Sequence, residues 1–318
     1  MDKIVIGTRG SKLALWQAHW VKEELLILQP DLEIEIKVIK TEGDSRHDLA
    51  PGDFNKEGIF TAALDRALLQ EEIDIAVHSL KDLPTRLSPG LVLAAVPERG
   101  AVTDTLILRE DHARAVKKEA GLGQEISLPL LGRYMKGKVV GTSSLRRRAL
   151  LKYYWPGVKF VPLRGNLDTR VRKLSAGEVD AVVVATAGLH RLAMPMGAHL
   201  YLALDYPWYL PAAGQGALAL ETRRKDRARE IAGQVNHGPT FMATAAERAA
   251  MSRLGAGCRV PAGFLGEIEE VTLKLKGVVA SEEARSWSRQ RWRGRTWSTR
   301  SWENGLPWSS LTTAPGSS

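Results

Sequence analysis

The sequence predicts an α/β protein made of two similar lobes and a smaller α+β domain. Apolar segments with β-branched residues alternate with stretches of helical period, which is typical of βαβ units around mostly parallel sheets. Two local designs also recur along the chain, and the pattern changes after PAAGQGALALETRR, residues 211–224. We therefore expect two lobes facing each other across a cleft, followed by a third domain.

The elements follow in chain order. The predicted strands of the lobes are KIVIG, EIEIKVIK, IDIAVHS, LVLAAV, KVVGT, VKFVPL and DAVVVAT. After the first strand, an amphipathic helix begins near Leu13 and ends before Pro30, since the residue before a proline disfavours helix. Beyond the lobes we expect a helix from about Pro239 to Leu254 and a strand over EEVTLKLKGVVAS.

Two pairs of segments carry the evidence for similar lobes. IVIGTRGSKLALWQA and KVVGTSSLRRRALLK each read as strand, Gly-Thr, polar loop and helix. Common turn chemistry could explain that pair, but DIAVHSLKDL and DAVVVATAGL form a second echo. The boundaries we expect are 1–98 with 216–232 for lobe 1, 99–215 for lobe 2, 233–280 for the C-terminal domain and 281–318 for a Trp/Arg/Ser-rich tail.

Composition limits the protein class. The chain has 318 residues, 44% of them hydrophobic and 25% charged, and no apolar run approaches the roughly 20 residues that a bilayer span needs. The N-terminus enters a strand without a secretory signal, so we expect a cytoplasmic protein without membrane contacts. One cysteine excludes an internal disulfide and a zinc site of paired thiolates, and we predict no metal.

Cations recur at the ends of the predicted α/β units. The formal net charge of +9 suggests an anionic partner, and Arg outnumbers Lys at these positions, which suits bidentate carboxylate recognition. Arginines at a helix N-terminus oppose the helix dipole unless an anion binds there, although a solvated basic helix face is the alternative. The cationic candidates are Arg9, Lys81, Arg146, Arg147, Arg164, Arg170 and Arg191, with Ser143 and Ser144 beside the second Gly-Thr loop.

Asp82 is an acid among these cations. In KDLP an aspartate often caps a turn, which is the plain interpretation. The alternative is a carboxylate that binds N–H donors and stabilises a developing positive charge. His19 and His78 lack any paired ligand spacing, and we interpret them as structural or surface residues.

Cys258 lies in RLGAGCRVPAG, between glycines and a proline. A lone cysteine is commonly a small buried residue. Glycines before it favour an exposed loop, and Arg253 and Arg259 would favour the nucleophilic thiolate. An attachment point is therefore the second interpretation.

Together, these segments closely resemble the porphobilinogen deaminase (hydroxymethylbilane synthase) family over about residues 3–280. The matching stretches, in family order, are IGTRGSKLALWQA, DIAVHSLKDLP, GTSSLRRRALL, LRGNLDTR, GLHRL, GQGALALE and GCRVPAG. The resemblance implies three domains, two of them resembling the lobes of periplasmic binding proteins. It implies a transferase of tetrapyrrole and heme biosynthesis that joins four porphobilinogen molecules, with loss of ammonia, into hydroxymethylbilane, and that acts as a monomer.

The resemblance also implies residue roles. Cys258 would hold a dipyrromethane cofactor through a thioether, and Asp82 would be the catalytic carboxylate. The acetate and propionate groups would be bound by Arg9, Ser11, Lys81, Ser144, Arg146, Arg147, Arg164 and Arg170, and we include Arg191 among the binding residues.

Two features depart from the family. The chain reads DFNKEGIF where the family usually has a GGKGLF-like loop, with Glu57 in place of a common Lys and Lys56 beside it. After about Ser281 nothing resembles the family's further strands and long helix. We expect the tail to be disordered or to arise from a shifted reading frame, which resequencing of the gene would test.

Two other function classes remain to be weighed. A non-catalytic two-lobed receptor for a small anion would use the same lobes, but it would not need Cys258. A nucleic-acid binder is suggested by the charge and the Arg-Trp tail. We expect no nucleic-acid partner, because the cations of the body are dispersed over strand-end loops without interleaved aromatic residues.

Overall fold

The computed structural model describes residues 3–40, 61–121, 125–195, 197–255, 260–281, 287–295 and 312–313. The strands are β1 Lys3–Thr8, β2 Glu33–Val38, β3 Ile75–Ser79, β4 Leu91–Ala95, β5 Asp104–Leu108, β6 Val139–Gly141, β7 Lys159–Val161, β8 Ala181–Ala185, β9 Leu200–Ala203, β10 Leu218–Arg223, β11 Ala262–Glu269, β12 Thr272–Ala280, β13 Trp287–Arg295 and β14 Thr312–Thr313. The helices are α1 Lys12–Leu28, α2 Ala62–Leu69, α3 Glu110–Ala120, α4 Leu128–Tyr134, α5 Leu145–Tyr154, α6 Leu167–Ser175, α7 Thr186–Arg191, α8 Arg227–Gly233 and α9 Gly238–Arg253.

Two sheets of the same design form the two lobes. Their strand orders are β2-β1-β3-β10-β4 and β7-β6-β8-β5-β9. The paired sequence echoes occupy equivalent places, because β1 corresponds to β6 and β3 to β8. Asp74 accepts a hydrogen bond from the Val5 amide at 2.8 Å, and Asp180 accepts one from the Val139 amide at the same distance. The prediction of two similar α/β lobes is confirmed.

The fourth strand of each lobe sheet runs antiparallel to its neighbours. The expectation of mostly parallel sheets therefore holds for the first three strands of each order and fails for the neighbours of the fourth. The reason is topological. Strand β5 follows the chain's passage out of the first lobe, and β10 follows its return from the second, so each enters its sheet from the opposite end.

Two segments connect the lobes, one between β4 and β5 and the other between β9 and β10. These crossing segments lie side by side. The amide of Gly100 donates to the Gly216 carbonyl at 3.1 Å. Gly216 has a φ of +85°, and a Cβ atom there would lie 2.5 Å from the Gly100 carbonyl oxygen. A residue with a side chain would be strained in this conformation and would separate the segments. Gly216 therefore allows the two connections to lie in contact.

The third sheet, with the order β11-β12-β13-β14, packs against α9. Its core contains Phe264, Leu273 and Leu275, together with Ala246 from the helix. Glu247 of α9 is buried and ties this domain to the crossing segments. It binds the Arg99 guanidinium at 2.7 and 3.0 Å and accepts hydrogen bonds from the Gly214 and Gly266 amides.

Part of the tail differs from the expectation of disorder. Trp287–Arg295 pairs in antiparallel register along the whole of β12. The edge of β12 offers unpaired backbone groups, and alternate residues of the new strand meet the second lobe. Arg289 and Arg291 place their guanidinium groups 5.5 and 5.0 Å from the ring centre of Trp208. Residues 296–311 and 314–318 lie outside the described residues, as do Lys56 and Glu57.

The described ranges contain no helix with the length and apolar character required to cross a membrane. Within the same ranges, His, Cys, Asp and Glu side chains form no group of three or more that could hold a metal ion.

Candidate active site

A cavity of about 1220 Å³ is lined by residues of both lobes. Its walls come from the C-terminal ends of β1, β3, β6 and β8, or the residues just after them, and from the first turns of α1, α5 and α6. This is the rim where ligands bind in open α/β sheets. Of the residues proposed from sequence, the structure brings these to the cavity: Arg9, Ser11, Lys81, Asp82, Ser143, Arg147, Arg164 and Arg170.

Lys81 and Asp82 reach the cavity through a short 3₁₀ turn after β3. The strand is buried up to His78, and the turn spans Leu80–Asp82. Leu80 is fully buried, and its amide donates to the Ala217 carbonyl at 3.0 Å. Because Leu80 anchors the turn in the core, the next two side chains are presented to the cavity, where Asp82 is exposed and Lys81 half-buried.

The charges around Asp82 interact across the two lobes. Burial lowers the pKa of Lys81 to about 8, against the attraction of Asp82 and together with the repulsion of Arg147. Burial likewise lowers the pKa of Arg170 to about 10, again opposed by Asp82. Asp82 thus favours the charged forms of cations from both lobes, which would hold an anionic ligand between them.

Asp104, which the sequence analysis missed, organises the arginines of α5. Its carboxylate accepts hydrogen bonds from Arg146 at 2.8 Å and from Arg147 at 2.6 Å, and all three side chains are buried. Burial alone would raise the pKa of Asp104, but the two guanidinium groups hold it well below its usual range. One acid for two adjacent arginines leaves a net positive charge beside the cavity. An aspartate at the start of a buried strand was the available sequence signal.

Arg147 is fixed on one side and available on the other. Its Nη1 donates to the Val183 carbonyl at 3.0 Å, and its Nη2 donates to Asp104. Its Nε has no hydrogen-bond partner among the described residues, although the side chain is buried and lines the cavity. An unsatisfied buried N–H is unfavourable, so this group favours an acceptor from a ligand.

Three of the proposed binding residues do not line the cavity. Arg146 turns away from it and donates to the Leu210 carbonyl at 2.8 Å as well as to Asp104. Ser144 caps α5 by accepting a hydrogen bond from the Arg147 amide at 3.3 Å. Arg191 donates to the Gly216 carbonyl at 2.6 Å and lies 5.9 Å from the ring centre of Trp16, so it links the lobes near the crossing segments.

The histidines have the structural or surface positions expected of them. His78 is buried, with its Nε2 3.3 Å from a carboxylate oxygen of Glu221, and it is also among the residues that line the cavity. His19 is exposed on α1. Cys258 and Arg259 lie outside the described residues, which end at Gly255 on one side of that loop and resume at Val260 on the other.

Four further cations line the cavity without having been selected from sequence. They are Lys12, Arg148, Arg172 and Lys173. Each lies near a selected residue in the first or second turn of α1, α5 or α6. Helical period does not connect the two arginines to Arg147 and Arg170, which are one and two residues away, but it places Arg172 on the same face as Asp168, four residues earlier. Across the described residues the cavity wall holds nine Lys and Arg side chains against two carboxylates, Asp82 and Asp168.

This chemistry fits a small molecule that carries several carboxylates. Arginine forks bind carboxylates bidentately, and Asp82 adds one acceptor for N–H groups or for a positive centre. The same set has no cluster suited to metal chemistry within the described ranges. A polyanionic ligand with an N–H donor satisfies both kinds of group.

Comparison with known proteins gives consistent matches. The family model "Porphobilinogen deaminase, dipyromethane cofactor binding domain" matches residues 4–230, and "Porphobilinogen deaminase, C-terminal domain" matches residues 241–300. A protein of Gloeobacter violaceus named porphobilinogen deaminase is 43% identical over 90% of this chain and 83% of its own length. Its namesake in Syntrophomonas wolfei is 40% identical over 88% of this chain and 86% of its own. The second model extends beyond Ser281, in agreement with strand β13.

Proposed function

This chain belongs to the porphobilinogen deaminase family, and from that membership we propose how its cleft carries out the family's reaction. The reaction joins four porphobilinogen molecules head to tail on a dipyrromethane cofactor, releases ammonia at each addition and yields hydroxymethylbilane. The observation that supports this assignment most directly is one cavity that contains Asp82 and a large excess of cations from both lobes.

The cavity's donors fit the dipyrromethane group. Arg147, Arg164 and Arg170 would hold its acetate and propionate groups from lobe 2, with Arg9 and Lys81 opposite them. The unpartnered Nε of Arg147 is the clearest vacant donor for such an oxygen. When bound, the cofactor supplies a pyrrole α-carbon as the nucleophile. Cys258, as the sole cysteine, is the residue we propose for its attachment.

Asp82 is proposed as the catalytic carboxylate. It accepts hydrogen bonds from pyrrole N–H groups and stabilises positive charge that develops as ammonia leaves. Its place at the cavity wall supports this role, because the anchored 3₁₀ turn fixes the backbone while the carboxylate itself stays exposed. Preorganised acceptors of this kind act on the transition state more than on the bound substrate.

The surrounding cations are proposed to position the substrates. Guanidinium groups from α5 and α6 and the ammonium of Lys81 bind the carboxylates of porphobilinogen, which orients its pyrrole ring toward Asp82. Ser11 lies beside them as the N-cap of α1, where its hydroxyl accepts a hydrogen bond from the Ala14 amide at 3.2 Å. The hydroxyl proton of Ser11 is not used in this bond and can be donated to a ligand carboxylate.

Intact-mass spectrometry of the purified protein tests the proposal. We expect the wild-type chain to be heavier than its sequence mass by one dipyrromethane unit, and we expect Cys258→Ser to show the unmodified mass. Ser252→Ala, a change in the last turn of α9 near the same loop, is the matched control and retains the added mass. Wild-type protein that is unmodified and cannot be loaded with porphobilinogen would favour the two-lobed anion receptor instead.

We propose a monomer in the cytoplasm that binds neither membranes nor nucleic acid. Light scattering of the loaded protein tests the oligomeric state. Filter binding to DNA at physiological salt, with and without residues 296–318, tests nucleic-acid binding, and tight binding that depends on sequence would contradict this part.

A further inference from the structure

We propose that Arg148 and Arg172 form an outer subsite that binds carboxylates of the pyrrole units added late in chain growth. The inference rests on the proposed function and deepens it, since it assigns part of the same cavity to one stage of the reaction. Neither residue is among those that the family resemblance assigns to binding.

The carboxylates of a growing chain outnumber the cavity cations that were proposed from the sequence. Each porphobilinogen unit carries two carboxylates, so a chain of six rings, counting the two of the cofactor, carries twelve. The five cavity cations proposed from the sequence are Arg9, Lys81, Arg147, Arg164 and Arg170. They suffice for the first two or three rings. As further rings enter, additional carboxylates must be neutralised or returned to water, because unpaired charges are costly in a confined cleft.

Arg148 and Arg172 each lie beside a less exposed cation on the cavity wall. Arg148 directly follows Arg147 in the first turn of α5, and Arg172 lies two residues beyond Arg170 on α6. Both line the cavity, and both are exposed, whereas Arg147 is buried and Arg170 half-buried. The two helices therefore each carry an inner cation and, next to it, an outer one at the more solvent-accessible part of the same wall.

Arg148 and Arg172 also differ from the neighbouring lysines in having no acidic partner among the residues that the structure describes. Among the four outer cations, Lys12 lies 3.9 Å from Asp168, and Lys173 lies 3.9 Å from Glu178. Within the described part of the chain, Arg148 and Arg172 make no ion pair or hydrogen bond through their guanidinium groups. Two uncompensated guanidinium groups on one cavity wall favour an anion from solution. This singles them out from the paired lysines.

The test follows the covalent adducts during growth. Protein loaded with the cofactor is mixed briefly with a limiting amount of porphobilinogen, and the reaction is quenched. Intact-mass spectrometry then measures the fractions of protein with zero to four added units. We compare Arg148→Gln/Arg172→Gln with Lys152→Gln, an exposed change in the last turn of α5 that does not touch the cavity. In the double variant we expect normal cofactor loading and normal first addition, followed by accumulation of adducts with one or two added units.

A second readout needs no turnover. Benzenehexacarboxylate serves as a compact polycarboxylate probe, and its dissociation constant from the loaded protein is measured by calorimetry. Loss of two exposed charge contacts predicts binding about twofold to thirtyfold weaker in the double variant, with no change in Lys152→Gln. Adduct fractions or probe affinity equal to those of Lys152→Gln would overturn the inference. Wild-type protein that never forms adducts would instead overturn the proposed function.

Discussion

The carboxylate of Asp104 accepts a hydrogen bond from Nη2 of Arg147 at 2.6 Å and so fixes a cavity-lining guanidinium from behind. The same oxygen accepts a hydrogen bond at 3.1 Å from the side-chain amide of Gln215, in one of the crossing segments. Asp104 also begins β5, directly after the other segment. The orientation of a cavity-lining arginine is thereby coupled to the connection between the lobes.

Replacing Asp104 by Asn should destabilise the protein strongly. The change leaves Arg146 and Arg147 buried without a counter-charge, and breaking a buried pair from one side costs about 3–5 kcal/mol. Urea unfolding measures the effect. Asp111→Asn removes an exposed pair with Arg109 and should cost no more than about 1 kcal/mol. Equal losses in the two variants would contradict the assigned importance of the buried pair.

The contribution of Asp104 should depend on pH in a defined direction. Its pKa is depressed in the folded protein, so the stabilisation is complete above the pKa of the unfolded chain, about 4, and declines as the pH falls below it. The difference in unfolding free energy between wild type and Asp104→Asn should therefore shrink from pH 6 toward pH 2. Urea titrations at several pH values provide the measurement, and a constant difference would refute this prediction.

The charge of Lys81 should contribute to the fall of kcat/KM at alkaline pH. Burial lowers its pKa to about 8, so its positive charge is lost as the pH rises through that value, and kcat/KM for an anionic substrate should fall. In Lys81→Arg the cation persists, and this fall should move to higher pH by about one unit or more. Lys152→Arg serves as the control with an unchanged profile. If the alkaline fall of kcat/KM occurs at the same pH in Lys81→Arg as in the wild type, another group is responsible for it.

Asp82→Asn should lower kcat by at least about a hundredfold without reducing the free energy of unfolding, because the carboxylate acts on developing charge and is exposed. Asp168 is the other carboxylate of the cavity and provides a matched control. Asp168→Asn should keep kcat within about threefold, since it loses only an exposed contact with Lys12. Single-turnover kinetics and urea unfolding separate the two effects. Comparable losses of kcat would remove the distinction between the acids.

Gly216→Ala should destabilise the junction of the lobes by about 2 kcal/mol or more. The added methyl group would meet the carbonyl oxygens of Gly100 and Ala101 at 2.5 and 2.8 Å, at a positive φ that alanine rarely adopts. Gly233→Ala at the end of α8 meets nothing within 4 Å and should be neutral or slightly stabilising. Thermal unfolding of both variants decides the matter, and a neutral Gly216→Ala would show that the segments can separate.

The sequence predicted what local patterns determine. Hydrophobic period and repeated Gly-Thr turns were enough for two similar lobes, and strand ends were enough to bring Arg9, Asp82 and Arg170 to one cavity. The pairing of strands that are far apart in the sequence could not be predicted. The reversed direction of β5 and β10 depends on where the chain crosses between lobes, and no local signal records that.

The different surroundings of neighbouring charged residues could not be predicted from the sequence for the same reason. Arg146 and Arg147 are adjacent in sequence and chemically identical, but only the structure shows that Asp104 holds Arg146 wholly within the core while leaving one edge of Arg147 for the cavity. Strand β13 was missed because its arginines alternate with Ser, Gln, Trp and Gly rather than with a uniform apolar set. Its register is provided by the neighbouring edge of β12.

The contacts of Glu247 have a mechanical consequence. By holding Arg99 and Gly214, this one carboxylate attaches helix α9 to both connections at the point about which the lobes would rotate. Points near a rotation axis are displaced least, so the C-terminal end of α9 at Arg253 should keep a nearly constant position while the walls of the cleft separate. A cofactor anchored just beyond that end would then remain stationary, and accommodation of a longer product would be achieved by movement of the walls.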